Sequence, residues 1–358
     1  MEIHASAPCE FLLFISECGA LSAQATTTLG KAWFSEVRGE VDPELLAASD
    51  LFTDTAPGAP IQLWSRLLPL AWETPAPHDV PAFLAHFAAQ PALRVRLILL
   101  GYHAFAYERL VPAETTFLAA QGDQAAIGEV AQKHFPRDRA RRAALSELLS
   151  GELEATRERL LTLMQRWYSG AFRAQEAAIL PILERDARRA RELSRALSIE
   201  ELVEHVTNGI EFAPWPGLDW VALVPTYVMR PWMVETPTED GTIVCYPAAD
   251  ESLVEQQAGP PARLVRLHQA LGDERRLRIL RRLAHERLTF QELANALDLP
   301  KSSLHYHLGI LRAAGLLRIS ILARGNHYSL RREALTGMDE ALLAYFDGAD
   351  DDGPPLPE

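Results

Sequence analysis

Residues 288–317 read LTFQELANALDLPKSSLHYHLGILRAAGLL, and the stretch before them, 270–283, reads ALGDERRLRILRRL. Thr289 and Glu292 stand in the Thr-x-x-Glu spacing of a capping box, which predicts a helix over 290–297. Asp298 and Leu299 make a tight connection to Pro300, which suits a first helical position because no amide donor is needed there. The helix that follows, over 300–313, carries Leu304, Leu308 and Leu311 as one apolar stripe, and Gly315 stops it. Lys301, Ser302, His305 and Tyr306 fall largely on the opposite side. Upstream, a short helix over 264–271 ends at Gly272, and Asp273 supplies the N-cap for a helix over 274–285. Leu277, Ile279, Leu280 and Leu283 of that helix are expected to face inward. Downstream, strands over 317–322 and 327–330 flank a basic hairpin tip at 323–326.

Two short helices at a tight turn, followed by a basic hairpin, spell a winged helix-turn-helix. One helix fills a major groove about 12 Å wide, so small polar and cationic residues on its outer face are placed to meet base edges and phosphates. The candidates for duplex DNA are Lys301, Ser302, Ser303, His305 and Tyr306 on the helix, with Arg324 and His327 on the wing. Arg318 is a weaker candidate on the first wing strand. His305 and His307 stand two apart, on different helix faces, so they cannot chelate one ion together.

Charge distribution supports this more than the total does. The 358 residues sum to −13, which alone argues against a polyanionic partner. Residues 261–336, however, hold fourteen Lys/Arg against six Asp/Glu, a net +8. Residues 1–260 carry −14, and 337–358 carry −7 without a single base. A basic module beside an acidic body is the footprint expected of a DNA reader fused to something else.

The module resembles the ArsR-like winged-helix regulators through ALGDERRLRILRRL, the 288–317 stretch and the hairpin with HYSL at 327–330. The resemblance implies a homodimer that reads a near-palindromic operator and represses transcription until an effector binds. Metal-sensing members carry a Cys pair in the helix before the recognition helix, or Asp and His ligands on the last helix. Residues 288–297 hold neither Cys nor His, and 332–346 hold no His. Transition-metal selectivity needs such ligands, so no metal site and no cofactor are expected, and the effector is expected to be a non-metal small molecule or a protein.

The fold expected for the whole is mainly α. A larger, mostly helical N-terminal domain with a small β element (1–247) is followed by a linker (248–261). The α+β winged helix for DNA binding and dimerisation (262–346) comes next, then an acidic, disordered tail (347–358). Helical periodicity predicts helices over 81–90, 92–110, 152–167 and 179–197. Residues 220–234 and 242–246 are expected as strands joined around a turn at 238–241, while 2–15 suits either a strand or a helix. The phrase VMRPW at 228–232 resembles one in the long N-terminal regions of some winged-helix regulators.

Apolar runs are too short for a membrane span, and Cys9, Cys18 and Cys245 fit no CxxC pattern, which points to free thiols in a reducing cytoplasm. No GxSxG, HExxH, P-loop or dinucleotide fingerprint occurs, so an enzyme is not expected. All seven Trp lie before residue 248, where they can build a core or line a ligand pocket. Arginine runs at 137–142 and 185–195 alternate with acids, as on a solvated, salt-bridged helix face. Two alternatives stay open: a protein-interaction scaffold that uses the winged helix for dimerisation, and an enzyme–regulator fusion.

Overall fold

A computed structural model describes residues 1–19, 27–49, 63–102, 110–253, 260–322 and 325–347. The chain is mainly α, and it divides into two compact units: Met1–Ala187 with Trp215–Pro247, and Arg188–Pro214 with Ala248–Glu358.

The first unit opens with β1 (Glu2–Ile3) and α1 (Ala7–Gly19), so the ambiguous 2–15 stretch is a strand followed by a helix. Every residue of α1 from Ala7 to Cys18 is buried, which is why its periodicity carries no face. Around it come α2 (Gly30–Glu40), α3 (Pro43–Ser49), α4 (Leu68–Trp72), α5 (Val80–Ala89) and α6 (Ala92–Leu99). α6 ends well before the Leu110 expected for it. Gly101 adopts φ +75°, and a Cβ there would lie 2.3 Å from Arg66, whose guanidinium donates to the Leu99 carbonyl at 3.3 Å. Next come α7 (Ala113–Gln121), α8 (Gln124–His134), α9 (Arg139–Ser150) and α10 (Leu153–Trp167). One π-helical segment, Tyr168–Phe172, joins α10 to α11 (Arg173–Leu193), and Phe172 packs edge-on to Phe14 beside buried Trp167.

Two further elements, α12 (Ile199–Val206) and β2 (Ile210–Glu211), belong to the second unit. The chain then returns to the first unit for β3 (Trp220–Thr226), β4 (Val234–Pro237) and β5 (Gly241–Pro247). Their sheet has the order β1-β3-β5-β4. The hairpin at 238–241 joins β4 to β5 antiparallel, but residues 220–234 are not one strand. β3 stops at Thr226 and pairs with β5 in parallel, Trp220 opposite Gly241 and Thr226 opposite Pro247. Both strands are buried almost throughout, which explains their unbroken apolar runs.

At the end of β3, the fully buried Glu10 carboxylate accepts from Thr226 Oγ1 at 2.7 Å, Val228 N at 2.8 Å and Tyr227 N at 3.1 Å. Burial pushes its pKa up to about 7 against the pull of these three donors. The three cysteines are buried and free.

The second unit contains α13 (Ala262–Leu271), α14 (Glu274–Leu283), β6 (Leu288–Thr289), α15 (Phe290–Leu297) and α16 (Lys301–Ala313). After these come β7 (Leu317–Leu322), β8 (Gly325–Leu330) and α17 (Met338–Asp347). Its sheet has the order β2-β7-β8-β6. The expected boundary at 247 therefore shifts: Arg188–Pro214 groups with the winged helix because β2 hydrogen-bonds to β7. The expected linker begins with a short helical turn at Asp250–Ser252, and its residues 254–259 lie outside the described residues, as do 348–358 of the expected tail.

Candidate nucleic-acid interface

Local capping sets the three helices of the reader. The Asp273 side chain accepts from Arg276 N at 3.1 Å, which also holds its carboxyl below the ordinary range. Thr289 and Glu292 form the expected box in both directions: Glu292 N donates to Thr289 Oγ1 at 3.3 Å, and Thr289 N donates to Glu292 at 2.8 Å. The turn between α15 and α16 passes through Asp298 at φ +51°, and Leu299 N closes it on Ala294 O at 3.2 Å. Pro300 takes the N-cap position, with ψ 140°, and the helix starts one residue later than expected, at Lys301.

α16 then presents two chemically distinct sides. Leu304, His307, Leu308 and Leu311 are buried against the unit's core. Lys301, Ser302, His305 and Tyr306 are exposed, Tyr306 by 60%, and Ser303 is half-buried. The His305 ring lies tilted against Phe290 of α15, centroids 6.4 Å apart, which limits where its polar edge can point. His307 differs in kind: its Nδ1 is buried without a hydrogen-bond partner, and burial lowers its pKa although Asp273 opposes this.

The wing is β7 and β8, paired antiparallel from Leu317–Leu330 to Leu322–Gly325, with β6 on the far side of β8. His327 sits in the middle of this sheet, opposite Ser320 on one side and Thr289 on the other, and is half-buried. It therefore stands midway along the hairpin, not at its tip. Arg324 lies outside the described residues.

One expectation needs correction, and one candidate cation is already paired. Leu277 does not face inward but is 49% exposed, because Ile279, Leu280 and Leu283 already define the buried arc of α14 and Leu277 lies on its flank. Arg318 is committed elsewhere: its Nη2 lies 2.7 Å from Glu204, 3.5 Å from Glu333, and its Nε 3.9 Å from Glu211. Partial burial works against its charge, but Glu204, with Glu333 and Glu211, outweighs this and raises its pKa.

Glu204 and Glu211 were not legible as parts of this site. The sequence signal that could have found their segment is the box at Ser198 and Glu201, which caps α12 just as Thr289 and Glu292 cap α15. Glu211 also holds Arg287 in a two-pronged pair at 2.8 and 3.1 Å and accepts from the Ser320 hydroxyl. Lys301, Arg275 and Arg281, by contrast, are exposed and make no ion pair among the described residues.

Among the described residues no group of three or more His, Cys, Asp or Glu is placed to hold a metal ion, and no helix is long and apolar enough to cross a membrane. No curated protein and no solved structure matches the chain. Residues 271–319 match the family model described as a helix-turn-helix domain, and the second unit thus carries the DNA-binding helix-turn-helix domain of a transcription regulator.

Proposed function

We propose that the protein is a cytoplasmic, homodimeric repressor of the ArsR-like winged-helix type. On this reading its first unit responds to a non-metal ligand or a protein, and neither unit is an enzyme. The observation that carries the reading is the outer side of α16, where Lys301, Ser302, His305 and Tyr306 stand exposed directly after a capped helix and tight turn. A helix offered in this way suits a major groove, with Lys301 for guanine or phosphate and the hydroxyl and imidazole groups for base edges.

Dimerisation is supported by α17, none of whose residues is buried. Leu343 and Phe346 are 58% and 66% exposed on it, more apolar surface than a short terminal helix leaves in water when alone. A dimer that reads two half-sites needs its two α16 helices about one helical turn of DNA apart.

The test is a triple change, Lys301→Ala, Ser302→Ala and His305→Ala, in the full chain. It is measured by gel shift against duplexes enriched from a random-sequence library. With each base contact worth about 1–3 kcal/mol, affinity should fall by more than about a hundredfold. Lys301→Ala alone should also flatten the slope of log affinity against log salt by about 1 per protomer. Retained binding by the folded triple variant would refute DNA reading by α16. It would favour a protein-interaction role.

A further inference from the structure

The acidic segment ahead of the winged helix is built into the wing. Gly209 O accepts from Ile319 N at 2.8 Å, and β2 runs parallel to β7 with Ile210 opposite Ile319 and Glu211 opposite Ser320. The fit requires glycine: Gly209 has φ +111°, and a Cβ there would lie 2.3 Å from the Leu317 carbonyl oxygen. Behind the strand, Glu204 of α12 binds Arg318 through Nε at 2.8 Å and lies 4.0 Å from Arg331. Glu211 binds Arg287 and Ser320. One short strand and two carboxylates thus fasten the wing strand β7 over Arg318–Ser320 and the loop before β6 at Arg287.

We propose that Glu204 and Glu211 are positioning residues for DNA binding: seated on β7, the Gly209–Glu211 strand holds the wing in the pose that engages the duplex beside α16. This rests on the DNA-binding reading above. Two further features favour it over a merely structural role. The strand is only two residues long, so little backbone pairing opposes its release. The chain on either side of it also continues into the first unit, upstream through α11 and downstream through residues 212–219 to β3.

Electrostatics and positioning predict opposite signs, and this makes the proposal testable. In the full-length protein, Glu204→Gln with Glu211→Gln removes two negative charges near a polyanion. If the carboxylates act only through charge, the duplex selected above should bind more tightly. If they position the wing, binding should weaken by about tenfold while Ile319 amide exchange speeds up, since hydrogen bonds to charged groups are being lost. Gly209→Val is the second variant; its Cβ cannot be accommodated, so β2 must leave β7 whatever the carboxylates do. It should show the same faster exchange and weaker binding, with the first unit melting as before. Tighter or unchanged binding by either variant, with the Ile319 amide opened, overturns the proposal. Failure of the unaltered protein to hold any duplex would instead overturn the DNA-binding reading itself.

Discussion

Arg96 offers the sharpest test of what holds the first unit together. It sits in α6, 1% exposed, and its guanidinium is surrounded by acceptors. Nε donates to Thr156 Oγ1 at 2.9 Å, Nη1 to Leu149 O at 2.8 Å, and Nη2 to Gly151 O at 2.7 Å and Glu152 O at 2.8 Å. Longer bonds reach Leu148 O at 3.3 Å and Ala120 O at 3.4 Å. Leu148 and Leu149 belong to the last turn of α9, where carbonyls have no partner inside the helix, so one cation closes that terminus and sits at the negative end of its dipole. Burial lowers the pKa of this guanidinium, with Glu152 opposing. Arg96→Met keeps much of the side-chain volume and removes all the donors. A buried charge pair can often be replaced by apolar groups at little cost, but here the acceptors are backbone carbonyls, which no substitution removes. Stranding Leu149 O and Gly151 O, while Glu152 O keeps its bond from Ala155 N at 3.1 Å, should cost about 3–5 kcal/mol. Urea unfolding followed by the fluorescence of buried Trp64 and Trp167 reads this directly. With a slope of about 3 kcal/mol per molar, the midpoint should fall by about 1–1.7 M. Arg96→Lys should recover part of the loss, because three donors replace five. A midpoint shift below about 0.3 M for Arg96→Met would refute the argument, since the carbonyls would then be satisfied without Arg96.

Buried Glu10 and half-buried His134 make opposite pH predictions. The Glu10 pKa is raised to about 7, so the stability it contributes is full below its unfolded value near 4.5 and is lost as pH rises through 7. His134, pushed down to about 4 chiefly by burial, with Nε2 lacking a partner, contributes stability that is full above 6.5 and is lost as pH falls towards 4. Relative to the unaltered protein, Glu10→Gln should therefore gain about 3 kcal/mol between pH 4.5 and 8, and His134→Gln should gain about as much between pH 6.5 and 4. Denaturation midpoints across that range check both signs, and parallel curves would dismiss them. In the second unit, Asp298→Gly should stabilise by about 0.5–1 kcal/mol, because Asp298 is exposed and adopts φ +51°, where glycine is unstrained. A lower melting temperature for Asp298→Gly would mean that the side chain secures the turn.

The legible parts of the fold are those written in local chemistry. Asp273, Thr289 with Glu292, and Gly315 mark helix ends by side-chain bonds or backbone freedom within a few residues, and each does so in the structure. The outer set Lys301, Ser302, His305 and Tyr306 follows from helical geometry once those ends are fixed. Expectations strayed where distant chain decides. α6 stops at Leu99 because Arg66 occupies the space above Gly101, and 220–234 breaks because β3 finds a parallel partner in β5. Arg66 lies more than thirty positions before Leu99, and the parallel register of β3 on β5 spans about twenty, so neither partner is legible locally. β2 is the extreme case, since two residues are too few for any alternation and their partners, Ile319 and Ser320, lie more than a hundred positions away.

Charge shows why such distance matters for function. Counted along the sequence, residues 261–336 form a basic block and Glu204 and Glu211 belong to the acidic body. Folded, those two carboxylates lie within 4.0 Å of Arg287, Arg318 and Arg331, so three of the block's cations are already paired. Arg266 is paired with Asp250 at 2.7 Å, and Arg276 spends its guanidinium on the Ala270 and Gln269 carbonyls. A cation held by a carboxylate releases few counterions on meeting a phosphate, so the long-range attraction for DNA must be weaker than the +8 count implies. On the proposed reading, the burden of affinity moves to contacts that depend on pose, at the exposed side of α16 and along the wing. A reader of this kind gains sequence discrimination over non-specific binding, and it becomes sensitive to anything that shifts the carboxylates holding its wing.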